Sequence, residues 1–85
     1  MHMPYYTYIL YSEKVDRYYV GSCQDIQDRL NRHNAGYSKS TKAGVPWDLK
    51  YSEVFETRSA AIVRETEIKR KKSRKYIEQL INAAG

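Results

Sequence analysis

The sequence predicts an α+β domain in which a small, mostly antiparallel sheet of three strands is flanked by helices. Residues 5–11 and 17–22 are rich in tyrosine and β-branched side chains, and a polar segment separates them, which favours a hairpin of two antiparallel strands. The rest of the chain contains one more strand pattern and three helical patterns, in the order strand–strand–helix–strand–helix–helix. This order favours a sheet covered by helices, and 85 residues have room for one domain with a small core.

The first two strands are predicted from their composition. Residues 5–11 are aromatic or β-branched at nearly every position, so we expect both faces of this strand to be buried. Residues 12–16 form a polar turn, and residues 17–22 form the second strand. Gly21 marks either a close approach of the backbone to another group or the end of the strand.

A helix is predicted over about residues 26–34. Asp25 has the side chain of an N-cap residue, and Gly36 is placed to end the helix. Arg29 and His33 are four residues apart, so they lie one above the other on the helix. Arg offers a planar fork of donors to phosphate, and His carries a proton near neutral pH. Each also has an ordinary structural alternative, namely a surface ion pair of Arg29 with Asp25 and a cation at the helix end for His33.

Residues 35–47 have no periodic pattern and are rich in Gly and Ser, which predicts a loop. Lys39 and Lys42 make this loop basic, so it is either a mobile flap that contacts phosphates or an ordinary solvated loop. Trp47 leads into the third strand, which is predicted over residues 48–55 because apolar and polar side chains alternate there.

Two helices are predicted in the last third of the chain. The first covers residues 58–72 and is capped by Thr57 or Ser59. The second covers residues 74–84 and is capped by Ser73.

The carboxylate of Glu65 stands out in the first of these helices. It shares a helix face with Ala61 and Ile68, so we expect it to lie in a buried apolar stripe. Burial of a carboxylate is costly unless the group is paired or coordinated. Glu65 is therefore either a ligand of a hard metal ion or half of a buried ion pair with Arg29 or a lysine.

The net charge is +5 and the isoelectric point is about 9.4, which favours a polyanionic partner: nucleic acid first, an anionic membrane surface second. The strongest basic feature is a run of cations near the end of the chain, formed by Lys69, Arg70, Lys71, Lys72, Arg74 and Lys75. We interpret this run as a phosphate-contacting patch with salt-sensitive affinity that does not depend on sequence. The alternative is a solvated helix end without a partner.

The composition also excludes several classes of protein. The single Cys23 rules out an internal disulfide and a cysteine-based zinc site, and it fits a reducing cytoplasm. No apolar run approaches the roughly 20 residues of a membrane-spanning helix, so no membrane span is expected. A membrane is not among the expected partners. We expect one domain at residues 5–81, a disordered or tag-derived start at residues 1–4 and a tail at residues 82–85.

In their order along the chain, these residues resemble the GIY-YIG nuclease superfamily, and most closely its small stand-alone bacterial members. The two motifs that give the family its name correspond to residues 6–8 (Tyr-Thr-Tyr) and 19–21 (Tyr-Val-Gly). Arg29 and His33 match the family's arginine and histidine, and Glu65 matches its metal-binding glutamate. The similarity covers nearly the whole chain, and it is the ordered set, not any one motif, that is specific.

The chain departs from the family pattern at three positions. Tyr6 stands where the first motif has glycine, and Thr7 and Val20 stand where the two motifs have isoleucine. The polar positions of the family's active site are all kept.

The resemblance implies a role for each polar residue. Tyr8 is expected to be the general base or to orient water, with Tyr19 assisting; the alternative is that both are core aromatics of the sheet. Arg29 is expected to hold the scissile phosphate, and His33 to assist proton transfer. Glu65 is expected to bind one Mg²⁺ or Mn²⁺ ion.

We therefore predict a metal-dependent DNA endonuclease, structure-selective and acting in DNA repair or recombination. The expected partner is branched or duplex DNA, and a helper protein or a homodimer is expected to assist target choice. The alternative is a nucleic-acid-binding module that has the same fold and little or no catalytic activity.

Overall fold

The computed structural model describes residues 3–84 and confirms the predicted α+β class. Its strands and helices follow the predicted order, and their ends agree with prediction to within one residue. The elements are β1 (Tyr5–Ser12), β2 (Arg17–Cys23), α1 (Ile26–Asn34), β3 (Asp48–Phe55), α2 (Arg58–Lys71) and α3 (Arg74–Ala84), with one turn of 3₁₀ helix at Lys42–Gly44. The start of the expected tag-derived segment, Met1 and His2, lies outside the described residues. Helix α3 includes residues 82–84 of the expected tail at 82–85, and Gly85 lies outside the described residues.

The sheet has the strand order β2-β1-β3, and β1 is antiparallel to both of its neighbours. This central position explains the composition of β1, because its side chains must be covered on both faces. Thr7, Tyr8, Ile9 and Leu10 are all buried, which confirms the expectation for residues 5–11. Strand β2 is at one edge of the sheet, and its outer backbone groups have no strand partner within residues 3–84.

Each face of the sheet has its own hydrophobic cluster. On one face, Tyr8, Leu10, Cys23 and Trp47 form a buried group against which α1 packs with Ile26 and Leu30. On the other face, the buried residues are Ile9, Val20 and Ile68, and helix α3 packs against them through its apolar side chains Tyr76, Ile77, Leu80 and Ile81. The sheet therefore has an α1 face and an α2–α3 face, and the functional candidates lie in two groups, one on each face.

The predicted helix caps are present. The Asp25 side chain accepts a hydrogen bond from the backbone N–H of Asp28 at 2.9 Å, and Thr57, rather than Ser59, caps α2 by accepting from Ala60 at 3.1 Å. Ser73 accepts from the backbone N–H of Tyr76 at 3.1 Å at the start of α3.

The loop at residues 35–47 differs from both of its predicted forms, because part of it is buried. Thr41 and Trp47 are 1% and 5% exposed. The Trp47 indole N–H donates to the Thr41 carbonyl at 2.7 Å, and its backbone N–H donates to the Asn34 side chain at 2.6 Å. The Ser12 hydroxyl donates to the Gly44 carbonyl at 2.6 Å. These bonds fasten the second half of the loop to β1 and to the end of α1, so a free flap over residues 35–47 was the wrong expectation.

Candidate active site

The two tyrosines of the motifs lie on the same face of the hairpin. The register pairs Tyr8 with Gly21 and Leu10 with Tyr19, so both phenols project towards α1, and their ring centroids are 6.4 Å apart. Gly21 makes this possible. A Cβ atom at that position would lie 2.5 Å from the Tyr8 hydroxyl oxygen and 3.1 Å from Cε2 of Tyr19. Of its two predicted meanings, Gly21 marks the close approach, because β2 continues past it to Cys23.

His33 joins these tyrosines from α1. Its side chain is buried, and its Nε2 atom lies 3.2 Å from the Tyr8 hydroxyl oxygen. Its Nδ1 atom lies 2.9 Å from the Thr41 hydroxyl, and its ring meets that of Tyr19 edge-on at 4.9 Å. Burial excludes the alternative in which His33 is a solvated cation at the helix end. Thr41 was missed from the sequence, since a threonine inside a Gly- and Ser-rich loop gives no periodic signal.

The protonation states of this group follow from burial. Removal from water raises the pKa of the Tyr8 phenol well above 10; the neighbouring Tyr19 adds to the rise and the Arg29 guanidinium offsets part of it. Burial lowers the pKa of His33 below 6.5, and the positive charge of Arg29 lowers it further. Tyr8 is therefore protonated and His33 neutral at pH 7. With the imidazole proton on Nδ1, Tyr8 donates to Nε2 and His33 donates to Thr41, so all three groups are satisfied.

Arg29 lies beside this group and faces open space. It lines a cavity of about 310 Å³ together with Tyr19 and His33, and a second cavity of about 270 Å³ together with Ser22. The expected surface pair with Asp25 is absent, and Arg29 has no ion pair within residues 3–84. Its guanidinium is thus a half-buried cation without an acidic partner, and it lines two cavities along the edge of β2.

The structure places Glu65 on the opposite face of the sheet. Its carboxylate is 20% exposed and does not lie deep in the apolar stripe, which corrects the expected burial. One carboxylate oxygen accepts a hydrogen bond from the Ser22 hydroxyl at 2.8 Å, and the other pairs with the Lys69 ammonium at 2.5 Å. The ion pair with a lysine, one of the two predicted alternatives, is therefore present. Among the described residues, no hydrogen bond joins Glu65 to the tyrosines, to His33 or to Arg29.

Ser22 is the link between the two faces. It follows Gly21 in the edge strand, holds the Glu65 carboxylate and lines the 270 Å³ cavity that Arg29 also lines. No local pattern singles out Ser22, because its partner is 43 residues away along the chain. Glu65 therefore reaches the edge of β2 near the Arg29 cavity, but it does so from the other side of the sheet.

The basic run does not form a single free patch. Lys69 pairs with Glu65, Arg74 pairs with two acidic side chains at 2.6 and 3.2 Å, and the Lys71 ammonium lies over the ring of Tyr76. Lys72 ends α2 in a left-handed conformation, with φ 47° and ψ 37°. The remaining predicted cations are exposed and have no ion pair in the described part of the chain; they are Lys39, Lys42, Arg70 and Lys75.

Two negative findings concern residues 3–84. They contain no group of three or more His, Cys, Asp or Glu side chains arranged to hold a metal ion. No helix in this range is long and apolar enough to cross a bilayer.

The burial of His33 predicts a pH dependence of stability. Because its pKa is lowered in the folded state, the unfolded chain binds the proton more readily. The free energy of unfolding should therefore be constant above the unfolded pKa, about 6.5, and fall as the pH drops through the lower folded pKa. Urea unfolding between pH 8 and pH 5 should show this decline, and His33→Leu, although less stable at pH 8, should show a flatter profile. A variant with the parent's slope would contradict the assignment to His33, since His2 is present in both proteins.

Comparison with known proteins gives a consistent result. The model of the GIY-YIG catalytic domain matches residues 4–77. A UPF0213 protein of Staphylococcus saprophyticus is 43% identical over 65 residues, which are 72% of this chain and 79% of that protein. A UPF0213 protein of Haloquadratum walsbyi is 46% identical over 52 residues, which are 60% of this chain and 58% of that protein. The solution NMR structure of a UPF0213 protein from Bacillus halodurans is similar with a TM-score of 0.62 and 31% identity, covering 98% of this chain and 87% of that one.

Proposed function

Because the chain belongs to the GIY-YIG family of nuclease domains, we propose that it is an endonuclease that hydrolyses phosphodiester bonds of DNA with a divalent metal ion. The observation that carries the proposal is the position of Arg29. It is an unpaired guanidinium that faces a cavity shared with Tyr19 and His33. A fixed cation next to a phenol and a neutral imidazole suits a phosphate whose negative charge grows during attack by water.

Arg29 has the role of holding the scissile phosphate. Its planar guanidinium donates two parallel hydrogen bonds to phosphate oxygens, which both orient the group and stabilise its charge. No acidic side chain in residues 3–84 competes for it at ion-pair distance. An arginine that has no acidic partner and is half removed from water interacts more strongly with an anion than one on an open surface.

We assign the contact with water to Tyr19 and a positioning role to Tyr8, which reverses the order implied by the family resemblance. Tyr19 is partly exposed and lines the Arg29 cavity, whereas Tyr8 is 1% exposed and does not line it. The raised pKa of Tyr8 also opposes its ionisation at neutral pH. Tyr8 holds His33 in place by donating to its Nε2 atom, and Thr41 accepts from its Nδ1 atom, so both nitrogens of the neutral imidazole are engaged.

Glu65 is the residue that would hold the metal ion. A single carboxylate suits Mg²⁺ or Mn²⁺, which are bound in such sites by one or two carboxylates together with water and phosphate oxygens. The oxygen atoms of Glu65 and Ser22 at the edge of β2 are ligands that fit a hard ion of this kind. Without the ion, the Lys69 ammonium neutralises the carboxylate. When bound, the ion would stabilise charge on the phosphate oxygens and lower the pKa of a bound water.

Magnesium-dependent nicking of supercoiled plasmid, and cleavage of a panel of duplex, nicked, flapped and junction substrates, test this function. We expect products with Mg²⁺ or Mn²⁺ and none with EDTA. Glu65→Gln should slow cleavage by about a hundredfold, because metal-ion stabilisation is worth several kcal/mol. Glu67→Gln is the matched control, since Glu67 is a carboxylate on the same helix that is 59% exposed. If Glu65→Gln and Glu67→Gln cut equally well, Glu65 is not the metal ligand.

One observation favours the second candidate, a nucleic-acid-binding module with little or no activity. Both oxygens of Glu65 are already engaged, by Ser22 and by Lys69. If the parent protein binds DNA but produces no cleavage with either ion on any substrate of the panel, this second function is the correct one. Selectivity for DNA structure, a role in repair or recombination, and assistance by a helper protein or a second copy of the chain remain parts of the nuclease proposal.

A further inference from the structure

A groove next to the candidate active site has the size of a site for one nucleotide. It lies beside the free edge of β2, on the α2–α3 face of the sheet, and its volume is about 460 Å³. Pockets that hold small ligands have volumes of this order. Tyr18 and Ile77, both partly exposed, line it above the buried side chains of Val20 and Ile68. Tyr19 lines both this groove and the cavity that Arg29 faces, so the two spaces are neighbours along β2.

The lining of the groove is basic as well as apolar. Four cations line it, against one acidic side chain, Asp16. Lys69 and Arg74 are already paired with carboxylates. Arg17 and Lys72 are exposed and have no ion pair within residues 3–84. The groove thus combines apolar contact area with two uncommitted positive charges, the combination by which proteins hold single-stranded nucleic acid.

We propose that this groove holds an unpaired base of the strand whose phosphodiester bond lies at Arg29. Tyr18 and Ile77 would contact the base, and Arg17 and Lys72 would contact the adjacent phosphates. This inference rests on the proposed nuclease function and narrows its substrate class to strands with an unpaired segment beside the cleaved bond, such as flaps and overhangs. A base inside a duplex is excluded from the groove unless it is first flipped out of the stack.

Contact with the face of a base does not depend on its identity. The proposed site therefore selects for strand structure and not for sequence. An acidic peptide satisfies the two cations but not the apolar surface, so nucleic acid fits the groove better than an acidic segment of a protein.

Binding measurements in EDTA test the groove without requiring cleavage. Fluorescence anisotropy would compare a labelled oligothymidylate, an abasic strand with the same number of phosphates, and a blunt duplex. The parent should bind oligothymidylate about tenfold more tightly than the abasic strand, because each contacted base adds to affinity. Equal binding of the two strands would overturn the proposal, as would displacement of oligothymidylate by an acidic peptide of equal charge at equal concentration.

A charge variant locates the site. The double variant Arg17→Gln/Lys72→Asn removes the two unpaired positive charges of the groove. Asparagine suits the left-handed backbone of residue 72, so the fold is retained. Lys14→Gln/Lys50→Gln removes the same charge at exposed positions that do not line the groove. The groove variant should weaken oligothymidylate binding by about tenfold and reduce the slope of log affinity against log salt by about 1.4, for two phosphate contacts to a single strand. A groove variant that binds no more weakly than the control pair would overturn the proposal.

The same variants separate this inference from the proposed function. In cleavage assays, the ratio of flap to blunt-duplex cleavage should fall at least about fivefold in the groove variant and stay at the parent's value in the control pair. If the parent cleaves nothing while the binding results hold, the nuclease function fails and the groove remains a single-strand site. If cleavage occurs but the ratio is unchanged, the nuclease function stands and the groove proposal is overturned.

Discussion

Replacing Arg29 with alanine is expected to slow DNA cleavage by about a thousandfold, the loss that follows removal of one preorganised donor to a developing oxyanion. The physical reason is the isolation of this guanidinium. It has no ion pair in residues 3–84, it faces the cavity that Tyr19 and His33 line, and its charge already acts on both Tyr8 and His33. Single-turnover cleavage of the best substrate from the panel, with Mg²⁺, measures the effect.

Two variants make the result specific. Arg29→Lys keeps the charge but loses the bidentate geometry, so it should recover only part of the rate. Arg32→Ala is the matched control, because Arg32 lines the same cavity but is exposed and paired with Asp28 at 3.3 Å. If Arg32→Ala slows cleavage as much as Arg29→Ala, the effect belongs to the net charge of the cavity and the assignment to Arg29 is wrong.

Arg29→Ala also has a consequence for the ionisation of its neighbours. The Arg29 charge lowers the pKa of His33 and opposes the rise in the pKa of Tyr8. Without it, His33 should titrate closer to its ordinary value. A titration of the His33 ring by NMR in the parent and in Arg29→Ala would therefore detect the loss of this charge even if neither protein cleaves DNA.

The features that were predictable from the sequence are those with local causes. The caps at Asp25, Thr57 and Ser73 depend on hydrogen bonds to groups three residues away, so composition and spacing were enough. The burial of β1 on both faces followed from its continuous run of aromatic and β-branched side chains. The convergence of His33 with Tyr8 on one face came from the family resemblance, and spacing alone did not require it.

The features that were missed depend on contacts between distant parts of the chain. A helical wheel places Glu65 on the same face as Ala61 and Ile68. The wheel gives the direction in which a side chain leaves the helix, but not how deeply it is buried. The Glu65 side chain is 20% exposed, and its carboxylate is held by Ser22 of the edge strand and by Lys69. The packing of the loop through Trp47 likewise depends on the final path of residues 35–47, which no local pattern specifies.

The relative burial of the two tyrosines was the most consequential of these. Sequence and resemblance favoured Tyr8 as the residue that handles water. The register brings Tyr8 opposite Gly21, beneath His33 and away from the cavity, and leaves Tyr19 at the edge of the sheet. Because the Tyr8 phenol is 1% exposed, our proposal gives Tyr8 a positioning role and gives the contact with water to Tyr19. The assignment of water contact to Tyr19 therefore depends on the position of β2 at the edge of the sheet. That position follows from the order of all three strands and not from any local pattern.

The difference in burial between Tyr8 and Tyr19 predicts the second large effect, which is the loss of cleavage when a phenol oxygen is removed. Tyr19→Phe should slow cleavage by about 10²- to 10⁴-fold, the range for loss of a group that takes part in proton transfer to or from water. Tyr8→Phe keeps the buried ring and removes only the bond to His33, so it should slow cleavage by no more than about tenfold at neutral pH. It should instead destabilise the fold by about 1–3 kcal/mol, because the buried Nε2 atom loses its partner.

Single-turnover cleavage and urea unfolding of the same two variants distinguish the roles. Tyr19 is partly exposed and makes no side-chain hydrogen bond within residues 3–84, so Tyr19→Phe should leave the free energy of unfolding nearly unchanged while activity falls. The opposite result, with Tyr8→Phe inactive and Tyr19→Phe active, would mean that the buried phenol ionises during the reaction. In that case His33 must accept its proton, and His33→Leu should be as inactive as Tyr8→Phe.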